Sequence, residues 1–332
     1  MRARGWLATW VFALLIALGG AAGLETYLRR LDYVPTVQDD PDLWALAYER
    51  VRLKPDALVL LGASRIQFAL DPEMIEQATG RPTAMLAVNG HYPLATLRFL
   101  AEDEAFRGLV VVGIDSRGLN AKHWDMQQPW VEHWNNRWSL ARRINRLLIT
   151  PLQEQWVIAR SPFALANLLR RQAAGWGLPF NDYVILRPER VGYVDYRRTD
   201  ITAIRRQRIL DLEQYYRDHP PPPPEAWLKV AEPLAQWVAA IKQRGGKVVF
   251  FREPVSGEHL DLDERNYPRA KYWDVLAARQ ILPMIDFRDQ PALAHFALPD
   301  TSHIDGIDVP AFTQAFIALM REQGHWPGVA RQ

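Results

Sequence analysis

The 332-residue chain has no cysteine, which excludes disulfides, thiolate metal sites and a cysteine nucleophile. That absence does not fix a compartment, because exported proteins also do without cysteine. Charge of one sign is lacking too: 40 Lys and Arg stand against 38 Asp and Glu, and a net charge of +2 gives no case for a nucleic-acid partner. There is no internal repeat, and the sequence gives no reason to expect a metal or a cofactor. What is present is a hydrophobic content of 48%, enough for one large or two small domains with a substantial core.

Residues 6–24 carry no charge, a stretch close to the roughly 20 residues that cross the hydrocarbon core as a helix. Arg2 and Arg4 favour a cytoplasmic amino terminus and an exported remainder, although Arg29 and Arg30 on the far side weaken that bias. The run reads as a membrane anchor within residues 1–30. The small residues Gly20-Ala21-Ala22-Gly23 keep a cleaved signal peptide open as the alternative. The expected location is a single-pass protein of the cell inner membrane with its soluble part on the periplasmic side. Residues 31–55 follow as a polar linker with a short helical pattern.

The strongest chemical signal is the run Ala57-Leu58-Val59-Leu60-Leu61, which stops at Gly62-Ala63-Ser64-Arg65. The apolar run predicts a buried parallel strand, and Ser64 falls at its carboxyl end, where open α/β sheets bind ligands. Further strands are predicted at residues 84–88, 109–114, 247–251 and 282–287, with helical patterns between them, which implies a parallel, doubly wound sheet. Far downstream, Asp300-Thr301-Ser302-His303 sets an acid and an imidazole three residues apart before a closing helix. A serine hydroxyl becomes a good nucleophile only beside a base, and the base needs an acid to hold its tautomer. Ser64, His303 and Asp300 are one of each.

These motifs resemble the SGNH/GDSL hydrolases, in which the serine follows the first strand and Asp-x-x-His precedes the last helix. An α/β-hydrolase would share the chain order, but its Gly-x-Ser-x-Gly is missing, since Ile66 takes the final Gly position. The resemblance implies a three-layer α/β/α fold with a five-stranded, flavodoxin-like sheet. Its core would comprise residues 56–116 and 225–332, with a mostly helical insertion at 117–224 that ends in the polyproline run Pro220 to Pro224. It also implies that Ser64 attacks an acyl carbonyl, His303 serves as base and then acid, and Asp300 orients His303.

For the oxyanion the family uses the serine N–H, the N–H of a glycine after the second strand, and an asparagine after the third. Ser64 and Gly90, in Asn89-Gly90-His91, fit the first two, and Asn89 beside Gly90 is a further candidate for oxyanion or substrate binding. Asp115 stands where the asparagine belongs, and an ionised carboxylate cannot donate. Arg65 and Arg252 are the candidate substitutes, or else partners of Asp115 in a salt bridge. The implied function is a membrane-anchored acyltransferase that O-acetylates an envelope or secreted polysaccharide. Its implied partners are that polysaccharide and a membrane-bound O-acyltransferase or a polysaccharide synthesis or export complex. Two alternatives stay open: a carbohydrate acetylesterase with the same three residues, and a non-catalytic glycan-binding or scaffold protein of a membrane assembly. The tryptophans of the insertion, dense from Trp124 to Trp138, read first as packing residues, then as sugar-stacking faces or a membrane-interface belt.

Overall fold

The computed structural model describes residues 2–326; Met1 and the end of the carboxyl-terminal core segment, residues 327–332, lie outside the described residues. Five strands form one all-parallel sheet: β1 (Leu58–Leu61), β2 (Thr83–Met85), β3 (Leu109–Gly113) and the two later strands β6 (Lys247–Arg252) and β7 (Met284–Asp286). Their order is β2-β1-β3-β6-β7. The chain therefore runs outward from β1 to β2, returns to β3 and continues the other way. Such a reversal opens a crevice beyond the carboxyl ends of β1 and β3.

Successive strand residues enter two different apolar clusters. Val59, Leu61, Val110, Val112 and Phe250 join one, with the helices Pro41–Leu53, Leu94–Glu102 and Ala231–Gln243. Leu58, Leu60, Val111, Val249 and Phe251 join the other, with Pro72–Thr79 and Val309–Glu322. Burial on both faces explains why these strands are continuous apolar runs without polar alternation. Gly113 ends β3 where a Cβ would lie 2.0 Å from Ile66 and 2.5 Å from Glu253, so the missing side chain seats the turn that carries Ser64.

Several local expectations are redrawn. Regular pairing in β2 is shorter than the apolar run, but the Leu86 and Val88 N–H groups still donate to Leu60 and Gly62 and carry the edge on to Asn89-Gly90. Between β6 and β7 the chain forms two helices, the strongly charged Gly257–Asn266 and the shorter Trp273–Ala278, parted at Pro268. The insertion holds the helices Gln128–Asn136, Leu140–Gln155, Leu165–Ala173 and Ile201–Asp218. It also holds an antiparallel hairpin, β4 (Val184–Leu186) and β5 (Gly192–Val194), which three-residue strands are too short to announce by alternation. Arg190 in its turn is wholly buried and donates to Asp39 and to the Met85 carbonyl, fastening hairpin, linker and sheet together. Trp124, Trp130, Trp134 and Trp138 all pack against the sheet's first cluster.

The amino-terminal helix, Arg2–Arg30, includes one stretch, Trp6–Arg30, that is long and apolar enough to cross a membrane, with none of its most apolar part buried against the protein. Its last turns dock on the insertion. Glu25 accepts hydrogen bonds from the Val157 and Ile158 N–H groups at 3.1 Å each, and Leu28 is buried with Val157 and Phe163.

Candidate active site

Ser64 opens a single turn, Ser64–Gln67, directly beyond β1. The extended Ala63 backbone turns the chain sharply, so the side chain meets the crevice. Across it, His303 Nε2 lies 2.8 Å from Ser64 Oγ, and His303 Nδ1 lies 2.8 Å from Asp300 Oδ2. The carboxylate accepts only, so Nδ1 carries the proton and Nε2 presents its lone pair to the serine. The other oxygen, Asp300 Oδ1, accepts from the Ser302 and His303 N–H groups at 2.9 and 2.7 Å. Thr301 between them has φ of 70°, a left-handed backbone that costs a β-branched residue on the order of 1–3 kcal/mol. That strain folds the loop tightly enough for one carboxylate to bind two backbone groups and the imidazole.

Arg208, on the insertion helix Ile201–Asp218, donates to Asp300 Oδ2 at 2.9 Å, and the Tyr196 hydroxyl donates to the His303 carbonyl. Nothing in the sequence singles out Arg208, which meets Asp300 across 92 positions. Burial by itself raises the Asp300 pKa, but His303, Arg208 and the Ser302 N–H hold it well below the usual carboxylate range. Burial lowers the His303 pKa below its ordinary 6.5; Asp300 opposes this, while Arg208 and Arg65 reinforce it. Near neutral pH the imidazole is therefore a free base beside a hydroxyl, the arrangement that serves nucleophilic attack.

The remaining predicted residues divide. Gly90, at φ of 76°, lines the same cavity as Ser64 and Arg65, a space of 570 Å³ whose wall also includes Tyr92, Arg117, Arg208, Tyr215 and His259. Among the described residues neither the Ser64 nor the Gly90 N–H donates to a protein acceptor. Asp115 is buried and bound by Arg65 at 2.6 Å, the Tyr92 hydroxyl at 3.2 Å and the Gly118 N–H at 2.7 Å. Burial would raise its pKa, yet Arg117 and Arg65 hold it far below the usual range, so it is a fixed anion. Arg65 uses one nitrogen on Asp115, while its buried Nη1 has no hydrogen-bond partner.

Two expectations are corrected. Arg252 does not reach the cavity or Asp115: it is buried near Asp263, Glu264 and Asp286, at 3.6–3.8 Å, because β6 ends against the acidic edge of β7 and the neighbouring helix. Asn89 is exposed and outside the cavity wall, with its carbonyl bound to His91 Nδ1, because the left-handed Gly90 carries the chain back across the crevice. His91 itself packs on Trp130. Among the described residues no group of three or more His, Asp or Glu side chains is arranged to hold a metal ion.

His259 and Glu253 stand beside this site and carry no signature in the sequence. His259 is buried, lines the cavity and makes no hydrogen bond from either ring nitrogen, with Nε2 3.7 Å from Asp263 Oδ1. Glu253 is buried with Oε2 unpartnered, and burial, only partly offset by Arg65, pushes its pKa up to about 7 from an ordinary 4.5. A raised carboxyl pKa contributes stability below pH 4.5 and loses it as pH rises through about 7, a change of roughly 3 kcal/mol. Glu253→Gln is therefore expected to flatten the fall in stability between pH 5 and 8. Urea unfolding of both proteins at the two pH values checks this, and parallel curves would contradict it.

The sequence matches no protein-family model and no curated protein.

Proposed function

We propose that the chain is a membrane-anchored, serine-dependent acyltransferase of the SGNH type, with a three-layer α/β/α core and its catalytic domain on the extracytoplasmic side. The observation that carries this reading is the contact of Ser64 Oγ with His303 Nε2 at 2.8 Å, between residues 239 positions apart, at the mouth of a 570 Å³ cavity. His303 is positioned by a buried acid and aimed at a hydroxyl beside free space.

In the proposed reaction Ser64 Oγ adds to the acyl carbonyl as its proton passes to His303 Nε2. The oxyanion meets the Ser64 and Gly90 N–H groups and the unpartnered Nη1 of Arg65, which stands in for the asparagine that Asp115 displaces. The tetrahedral adduct collapses as His303 gives its proton to the leaving oxygen or sulfur, which leaves Ser64 acylated. An acceptor hydroxyl, deprotonated by His303, then adds to the ester and carries the acyl group away, restoring the Ser64 hydroxyl. Water in place of that acceptor gives the esterase alternative. Tyr183, Tyr215, Gln207 and Asp211 along the wall offer flat faces and hydrogen-bonding groups suited to a sugar acceptor, which supports a polysaccharide substrate and O-acetylation. A membrane-bound O-acyltransferase or polysaccharide-export partner fits the anchor and an acyl donor that must cross a bilayer.

The test is intact mass of the full chain after exposure to a fluorophosphonate. One adduct is expected, absent in Ser64→Ala and much slower to form in His303→Ala. A folded protein that takes up no probe would overturn the enzyme reading in favour of a glycan-binding or scaffold protein.

A further inference from the structure

The helix Leu140–Gln155 is inside out. The residues it buries are Arg146, Thr150 and Gln153, whereas Leu140, Ile144, Leu148 and Leu152, at successive four-residue spacings, are 67, 47, 67 and 51% exposed. The polar face is committed to the protein: Arg146 donates to the Gln38 carbonyl and lies 3.5 Å from Asp40, and Gln153 accepts from the Gln38 N–H. Rotation of the helix to hide its leucines would break all of these. The helix Leu165–Ala173, next in the chain, has no fully buried residue and only Leu168 packed in an apolar cluster, and Leu165, Leu169, Trp176 and Phe180 are 72, 61, 71 and 71% exposed. So many exposed apolar side chains mark a surface made for an apolar medium, a membrane or a partner protein.

The amino-terminal helix identifies the medium. Residues 6–24 rise about 28 Å at 1.5 Å per residue, nearly the thickness of the hydrocarbon core, so Leu24 lies at its boundary. Leu24 packs in one cluster with Leu28, Val157, Ile158, Phe163 and Leu168. Leu168 belongs to the helix Leu165–Ala173, which the shared cluster places near the level of Leu24 to Tyr33, at the lipid headgroups. Arg170 and Arg171 on that helix suit the anionic side of such an interface, and Trp176 is of the residue type that membrane interfaces favour.

We infer that residues 140–180 form a second membrane contact, an interfacial platform that lies in the outer headgroup layer beside the spanning helix and holds the catalytic domain at a fixed height and tilt. The inference rests on the helix crossing the membrane and not on the serine chemistry. It also moves the membrane-facing tryptophans from Trp124–Trp138, which pack on the sheet, to Trp156 and Trp176.

Because the chain has no cysteine, single cysteines can each carry a nitroxide in the full-length protein. The protein is reconstituted into vesicles of phosphatidylethanolamine and phosphatidylglycerol. Relaxation by oxygen, which concentrates in hydrocarbon, is then compared with relaxation by a water-soluble nickel chelate. Leu15→Cys reports the spanning helix, Lys242→Cys an exposed site remote in sequence, and Leu148→Cys, Leu169→Cys and Trp176→Cys the platform. The expected result is an oxygen-to-nickel ratio several-fold higher at the platform sites than at Lys242→Cys, and highest at Leu15→Cys. A hydrocarbon reading at Leu15→Cys with platform sites as aqueous as Lys242→Cys would overturn the inference. So would platform sites shielded from both reagents, which would mean a protein cover, either a second copy or a membrane protein. An aqueous Leu15→Cys would overturn it through the anchor instead and leave the serine chemistry untouched.

Discussion

Asp300→Asn is expected to lower acyl turnover about 10³- to 10⁴-fold while leaving the cavity in place. Asp300 Oδ2 accepts from His303 Nδ1, and Oδ1 holds the loop through two backbone N–H groups. An amide preserves the size of the group but can turn its NH₂ toward Nδ1, which reverses the tautomer and points an N–H at Ser64 Oγ. It also removes the negative charge that supports a protonated imidazole in the transition state. The pH dependence carries a sign. In the wild type His303 must be neutral to act as base, and its lowered pKa sets the acid limb of kcat/KM below pH 6.5. Asp300 raises that pKa against burial, Arg208 and Arg65, so its loss should move the limb to still lower pH. Turnover of a chromogenic acyl ester from pH 4 to 9 measures both effects. A limb that stays in place would show that Asp300 does not act on His303 electrostatically.

Arg65→Met is expected to destabilise the protein by about 3–5 kcal/mol, because it leaves Asp115 buried without its closest counter-charge. Arg65 and Asp115 are 7 and 2% exposed and joined at 2.6 Å, and Arg117 at 3.6 Å is the remaining cation near the carboxylate. Glu253, also close to Arg65, would lose the group that partly offsets its burial. If Arg65 is the oxyanion donor of the proposed mechanism, its loss should also lower kcat by about 10²–10³-fold. The two roles separate in the double variant Arg65→Met, Asp115→Leu. Replacing both charges removes the uncompensated anion, so unfolding in urea should recover most of the lost stability while turnover stays low. Recovery of both would make Arg65 a structural partner of Asp115 and leave the oxyanion to the two backbone groups.

Seen from the chain alone, Ser64 was legible because a buried strand that stops at small residues exposes whatever follows it. Asp300 and His303 were legible because a three-residue spacing keeps an acid and an imidazole on one loop. The apolar stretch at 6–24 was legible because its length matches a bilayer. Strands β1 and β3 were visible for a related reason: burial on both faces leaves Leu58–Leu61 and Leu109–Gly113 wholly apolar, while β2, β6 and β7 carry polar residues only at their ends. The hairpin of β4 and β5 was not visible, since it is held by Arg190 reaching Asp39 across 151 positions and not by local pattern.

What the sequence by itself determined, then, is the kind of sheet, a helix long and apolar enough to cross a membrane, and the three groups suited to acyl chemistry, each written within a few consecutive residues. Only the tertiary structure decided what Asp115 does, since Arg65 and Arg252 were equally placed by sequence. The sheet edge turned Arg252 toward Asp263 and Asp286 and left Arg65 beside the serine. The structure alone brought Arg208 to Asp300, and it alone decided that the leucines of Leu140–Gln155 face outward. An amphipathic helix has the same periodicity whichever face it buries, and the choice falls to the groups it meets in space, here Gln38 and Asp40 against Arg146 and Gln153.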